Sequence, residues 1–485
     1  MRRPMRFSVF AIFAVIVLLS LQFDVAAQKR RAKHKKRARI APALVITPTI
    51  GTSPADMTGG DIVNTAAPSR LTPSVGSGVH VNNTDPSVGG KRSRGIGPII
   101  PVAGTLLISE FRVRGPSGAN DEFIEIYNNS GANHTVTAIS GTGYAIAASD
   151  GVVRCTIPNG TIIPAGGHFL CVDTTSFSLG TYPAGTGTIG TGDATFVTDI
   201  PDQSGIALFN NNTGGGSFSL ANRFDAVGPT GEANTLYREG AGLPALTPFS
   251  IDCSWTRDEC GKGGAVNLLG QCTISTPKDT DNNSADFYFV DTNGTSAGGG
   301  QRLGAPGPQG LTSPIQRNST ISAVRVDAAV AVSSAPSRVR DFTSVPANNS
   351  TFGTLSIRRR FVNNTGASVT RLRFRIIDLD TFPAASGFAD LRPITSSLVV
   401  VAGINDSATC TAAGQATPCS VTVQGTTLEQ APNQPNGGGF NTTMSAGTIT
   451  LGTPLANGAS INVQFLLGLQ QTGNFRIYVN IEALP

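Results

Sequence analysis

GTLLISEFRVRGPSGANDEFIEIYNNS, residues 104–130, contains two alternating apolar runs separated by a turn, and its reading decides the fold. Residues 104–115 alternate as a strand does, Pro116-Ser117-Gly118-Ala119-Asn120 breaks the run, and a second strand follows at once. Successive side chains of an extended chain point to opposite faces. Phe123, Glu125 and Tyr127 therefore share one face, and Glu122, Ile124, Ile126 and Asn128 share the other. The same succession of strand, Gly/Asn/Pro turn and strand recurs at GYAIAASDG (143–151), GTIIPAGGHFLCVD (160–173), SGIALFNNN (204–212) and NRFDAVG (222–228). At that spacing the predicted product is a β-sandwich.

Beyond residue 316 the pattern resumes. ISAVRVDAAVAV (321–332), FGTLSIRRRFV (352–362), VTRLRFRIIDL (369–379), SSLVVVAG (396–403), CSVTVQG (419–425), SINVQFLLGL (460–469) and NFRIYVNIEAL (474–484) alternate or run apolar between turns. They predict a second β-rich sandwich over 316–485. Gly 57 and Pro 30 are spread along the chain, and no long segment after residue 40 keeps apolar residues at helical spacing. The predicted class is all-β.

The succession ISEF (108–111), DEFIEIYN (121–128), the strand at 143–147, IPAGGHFLCV (163–172), SGIALFN (204–210) and RFDAVG (223–228) resembles the lamin-tail domain of bacterial exported proteins. The resemblance covers about 104–308, with the stretch 276–308 similar to the closing strand and tail of bacterial members. Where many members place a tryptophan after a glycine, this chain has Gly143-Tyr144. The resemblance implies an immunoglobulin-like β-sandwich that serves as an interaction scaffold and hosts no common catalytic constellation.

At the N-terminus, MRRPMR, the apolar run Phe7 to Phe23 and the small-residue exit Val25-Ala26-Ala27 read as a signal peptide over 1–27, with an uncleaved anchor as the competing reading. Residues 1–39 hold 11 of the 36 Lys+Arg and one of the 31 acidic residues. The remainder therefore carries 25 basic and 30 acidic groups, net −5, and the positive charge belongs to the arm that opens at Gln28. That arm and the Pro/Gly/Ser/Thr-rich stretch up to residue 103 predict a disordered linker, the arm attracting polyanions or a membrane surface. The predicted location is secreted or cell surface.

Seven cysteines in an exported chain suggest disulfides. Cys155 and Cys171 flank a predicted hairpin around Pro158-Asn159-Gly160, and Cys410 and Cys419 flank a short loop. Cys253, Cys260 and Cys272 leave one thiol over. No CxxC occurs and the four histidines are scattered, which argues against structural zinc.

Three clusters carry candidate chemistry. Arg358 and Arg360 share a face of one strand, Arg371, Arg373 and Arg375 a face of the next, and Asn363-Asn364-Thr365-Gly366 joins them. A hairpin there would gather five guanidiniums on one surface for a glycan, a nucleic acid or another polyanion, with Leu372, Phe374 and Ile376 in the core. The competing reading is a solvated face that discourages edge pairing. Asp279, Asp281, Asn283 and Asp286 offer oxygens to calcium, against ordinary turn chemistry. Glu110, Glu122 and Glu125 are read as sheet-surface charges rather than paired catalytic carboxylates, since no supporting motif such as HExxH accompanies them. The expected function is a non-catalytic structural or binding role toward a protein, glycan or other polyanion, with no cofactor beyond possible calcium. An accessory subunit or cryptic hydrolase of extracellular polymers is the alternative.

Overall fold

The computed structural model describes residues 103–180, 192–244, 251–259, 277–293, 302–382, 384, 386–429, 431 and 437–485, together with the backbone of Ile62–Asn64. The signal peptide, the basic arm, Cys260 and Cys272 lie outside the described residues. Strands dominate, and the only α-helices among the described residues are the short Asn283–Asp286 and Ser407–Ala412.

The first sandwich packs a seven-stranded sheet on a four-stranded one. The larger sheet runs in the order Arg302–Leu303, Phe287–Asp291, Cys253–Arg257, Leu106–Arg112, Phe123–Asn128, His168–Asp173, Ala194–Phe196. The smaller has Arg223–Val227, Ile206–Phe209, Gly143–Ala148 and Val153–Pro158. Leu106, Ile108, Phe111, Ile124 and Ile126 point between them onto Tyr144, Ile146, Ile157, Leu208 and Phe224. Tyr144 fills the core completely, its ring 4.9 Å from that of Phe224. The strands carrying Cys155 and Cys171 lie in opposite sheets. Their disulfide therefore crosses the core rather than closing the local hairpin the sequence suggested.

The second sandwich has a sheet ordered Ile62–Asn64, Ile477–Leu484, Arg371–Leu379, Thr443–Ala446, Thr426–Glu429, with Ile315–Gln316 also paired to Ile477–Leu484. Its partner sheet runs Ile321–Arg325, Thr354–Asn363, Ser460–Gln471, Asp390–Ile394, with Arg338–Asp341 also paired to Thr354–Asn363. Leu372, Phe374 and Ile376 are in the core as expected, with the Phe374 ring 4.8 Å from both Phe361 and Phe465. The strand Ile62–Asn64 corrects the reading of 40–103 as spacer alone, because it pairs in parallel with Ile477–Leu484.

Thr354–Asn363 and Arg371–Leu379 do not form a hairpin. They belong to different sheets, and the connection between them crosses the sandwich. Asn363 makes the local turn by accepting from Thr365 and donating to Ala367 and Leu455, and Val369 then pairs with Leu455. Turn chemistry is the same for a hairpin and for this crossing, so the sequence does not separate them.

Both sandwiches belong to one compact unit, Thr52–Pro485. The connection Leu303–Gly310 is buried throughout. Its backbone pairs with the second sandwich, Ala305 N donating to Phe440 O at 3.1 Å and Phe440 N to Leu303 O at 3.0 Å. Tyr288 stacks on Phe440 beside it.

Candidate functional site

The outer face of the seven-stranded sheet and the outer face of the Arg371–Leu379 sheet meet across a layer of buried polar groups. Alternation builds it. The residues that leave the core at Glu110, Glu125 and Tyr127 on one side, and at Arg373, Arg375, Asn480 and Glu482 on the other, turn toward each other instead of toward water.

Arg375 is the hub. Its Nε donates to Glu482 Oε1 at 2.9 Å and its Nη1 to Asn441 Oδ1 at 2.5 Å. Arg373 Nε donates to the other Glu482 oxygen at 2.5 Å. Asn441, held at a left-handed φ of 60°, donates to Glu110 Oε2 at 3.0 Å and to Ala305 O at 3.1 Å. With its amide turned oxygen-first to the guanidiniums, Gln309 accepts from Arg373 and Arg375 Nη2 at 2.6 and 2.9 Å and donates to His168 Nδ1 at 3.3 Å. The connecting segment supplies two more donors, Gly307 N to Glu110 Oε1 at 2.9 Å and Gln309 N to Glu125 Oε2 at 2.5 Å.

Four carboxylates, Glu110, Glu125, Glu259 and Glu482, face Arg373 and Arg375, so the layer has more acid than base. Glu482, between the two guanidiniums, is held below its ordinary pKa despite burial. Burial raises Glu110 and pushes Glu125 up to about 8, with the Glu110 charge adding to the shift of Glu125. Burial also raises Glu259, to about 7. His168 is driven to about 3 by burial and by Arg375, and stays neutral.

A raised folded-state pKa contributes stability that is complete below the unfolded value of 4.5 and is lost as pH climbs through the folded value. His168 has the opposite sign, contributing above 6.5 and losing that contribution as pH falls toward 3. Between 4.5 and 6.5 three raised glutamates outweigh one histidine. Above 6.5 only the glutamates act. The expected result is a higher Tm near pH 5 than near pH 8, and Glu125→Gln should flatten the difference. A Tm that rises steadily over this range would contradict the buried layer.

The arginine stripe is divided by the fold. Arg371, Arg373 and Arg375 are buried and paired, Arg371 with Glu429 at 2.6 Å, and form no exposed anion surface. Arg358 and Arg360 stand half-buried on the outer face of the other sheet. The reading of Glu110, Glu122 and Glu125 as sheet-surface charges is corrected too, since all three are buried. Glu110 and Glu125 do sit opposite each other on neighbouring strands, whereas Glu122 turns away and accepts from Ile200 N at 3.0 Å. The sequence carried no signal for this, because a charged face reads as solvent-facing unless a second charged face is known to cover it.

Two of the proposed calcium ligands, Asp286 and Asn283, turn their oxygens to protein donors. Asp286 accepts from Thr280 N at 2.9 Å and Thr280 Oγ1 at 2.6 Å, and Asn283 Oδ1 accepts from Gly228 N and Glu239 N, both at 3.0 Å. Asp281 sits at a left-handed φ of 53°, and Asp279 lies 3.4 Å from Arg257. The acidic oxygens that do converge belong to Asp225, Glu239 and Asp279, where Arg257 lies 2.6 Å from Asp225 and Arg223 lies 2.8 Å from Glu239. Guanidiniums already supply the positive charge there.

Cys410 and Cys419 form the second predicted disulfide, and Cys253 is a free thiol, buried and pushed up to about 12 by desolvation. Such a thiol is inert. The two disulfides suit an oxidising, extracytoplasmic environment.

Two concavities among the described residues lie away from this layer. An apolar recess of about 60 Å³ opens at one end of the first sandwich, among Phe111, Val227, Leu243, Trp255 and Phe289, with the Arg114–Asp202 ion pair at its edge. A polar groove of about 360 Å³ lies between the helix Ser407–Ala412, the strand Cys419–Val423 and the start of Ser460–Gln471. Two short strings, GTGTIG (185–190) and GTSAG (294–298), fit the letters of GxGxxG and GxSxG. Both lie outside the described residues. No family model, no curated protein and no solved structure matches this chain.

Proposed function

We propose that this is an exported, non-catalytic surface or secreted protein with a structural and binding role, which holds a macromolecular partner on a rigid pair of sandwiches. One observation carries the reading. Glu110 and Glu125 are spent as braces onto the connecting segment and the second sandwich, through Gly307, Gln309 and Asn441, and Glu482 is taken up by Arg373 and Arg375 of its own sheet. Groups so enclosed bind no substrate, whereas a braced β-scaffold suits presentation of a surface. The leader-like N-terminus, the two disulfides and the lamin-tail resemblance of 104–308 support export and a scaffold role. Probing glycan, nucleic-acid and protein arrays with the mature protein tests it. A bound class released intact is the expected result, and silence on every array, or cleavage of the bound polymer, would refute it.

A further inference from the structure

The arginines left outside the cross-braced layer require their own explanation. Thr354–Asn363 is an interior strand, flanked by Ile321–Arg325 on one side and Ser460–Gln471 on the other. Guarding a sheet edge therefore does not account for Arg358 and Arg360. In register, Arg358 stands opposite Gln464 and Arg360 opposite Asn462, side by side on the outer face.

Neither cation has a carboxylate partner among the described residues. Arg358 makes only long bonds, to Gln464 Oε1 at 3.3 Å and Pro336 O at 3.4 Å, and desolvation lowers its pKa with no anion opposing the shift. Arg360 Nε is shut away from solvent without a hydrogen bond, and so is Asn462 Oδ1 across from it. Each of these two facing residues thus keeps one enclosed polar atom without a partner, which folding alone disfavours. Asn462 also lines the polar groove, whose walls carry Gln415, Ser420, Thr422, Gln424 and Ser460 and no charged or aromatic side chain.

We propose that this face of the second sandwich, Arg358 and Arg360 with Asn462 and the adjoining groove, binds an acidic polysaccharide. The inference rests on the binding role above and names its ligand class. The guanidiniums of Arg358 and Arg360, half-buried and side by side, can meet the carboxylate or sulfate of a sugar unit, and Asn462 stands where the groove adjoins them. The amide and hydroxyl walls suit the sugar hydroxyls. Nucleic acid is the poorer match, since the groove offers no ring for base stacking and too few cations to follow a phosphate chain.

The test is calorimetric titration of the full-length protein with a tetragalacturonate and a heparin tetrasaccharide at physiological salt, with single-stranded DNA and neutral dextran alongside. The double variant Arg358→Gln/Arg360→Gln should bind at least one of the acidic tetrasaccharides more than tenfold more weakly, and Asn462→Ala severalfold more weakly. The latter removes no charge, so its loss cannot come from the basic N-terminal arm. In the unsubstituted protein, the bound tetrasaccharide should slow phenylglyoxal modification of Arg358 and Arg360 relative to Arg114, a readout that needs no variant to fold. The proposal is overturned if neither tetrasaccharide binds, if the variants bind like the parent, or if DNA and neither sugar protects Arg358 and Arg360 from phenylglyoxal. Array binding to some other class with this face indifferent sinks the ligand assignment alone, whereas silent arrays sink the binding role itself.

Discussion

Arg375→Ala is expected to destabilise the protein by about 3–5 kcal/mol, the usual cost of leaving buried charge without its partner. The residue holds together groups from three parts of the chain: Glu482 of its own sheet, Asn441 of the loop that meets the connecting segment, and Gln309 of that segment. Its charge also tempers the desolvation of Glu110 and Glu125. Removing it strands Glu482 with Arg373 alone and leaves Asn441 Oδ1 without its donor. Denaturant unfolding of parent and variant measures the effect. Arg375→Met, which restores apolar volume but no charge, should be nearly as harmful, because the penalty comes from the groups left behind rather than from the space vacated. A loss under about 1 kcal/mol would match an exposed ion pair and refute the enclosed layer.

Loss of the Cys155–Cys171 bridge should be the other large effect. The bond ties the two sheets of the first sandwich across a separation of 16 residues, and a ring of that size restrains the unfolded chain by about 3 kcal/mol. For a domain of this length that corresponds to a fall of roughly 6–12 °C in Tm in the Cys155→Ala/Cys171→Ala protein. Cys410 and Cys419, nine residues apart, close a smaller ring around a peripheral helix and should contribute less to the main transition. Parent and double variant with identical melting in the absence of reductant would show that the cross-core bridge does not form.

How much of this was legible depended on whether the signal was local. The alternation that places Leu372, Phe374 and Ile376 inward is written in nine consecutive residues, and the structure has them there. The two short-range disulfides were readable from spacing for the same reason. By contrast, the fate of Arg371, Arg373 and Arg375 depended on which surface would cover them, and the partner residues lie more than fifty positions away, at Glu429 and Glu482. The arginine hairpin failed at a turn whose Asn-Asn-Thr-Gly chemistry fits either course of the chain. Glu110 and Glu125 were correctly set on neighbouring strands, yet their burial followed from a second domain docking on that face, which no periodicity within 104–130 records. The surviving arginine pair was visible as a pair, but its lack of carboxylates could be seen only once the others had been assigned theirs.

The segment from Leu303 to Gly310 ties the two halves together in space. Each half presents a face whose charges are complete only against the other, and the peptide joining them contributes its own amides to that balance. A gene fragment encoding one half would expose several ionised groups selected for life without water, together with the orphaned amides of the seam. Neither half is therefore expected to stand as an independent cassette.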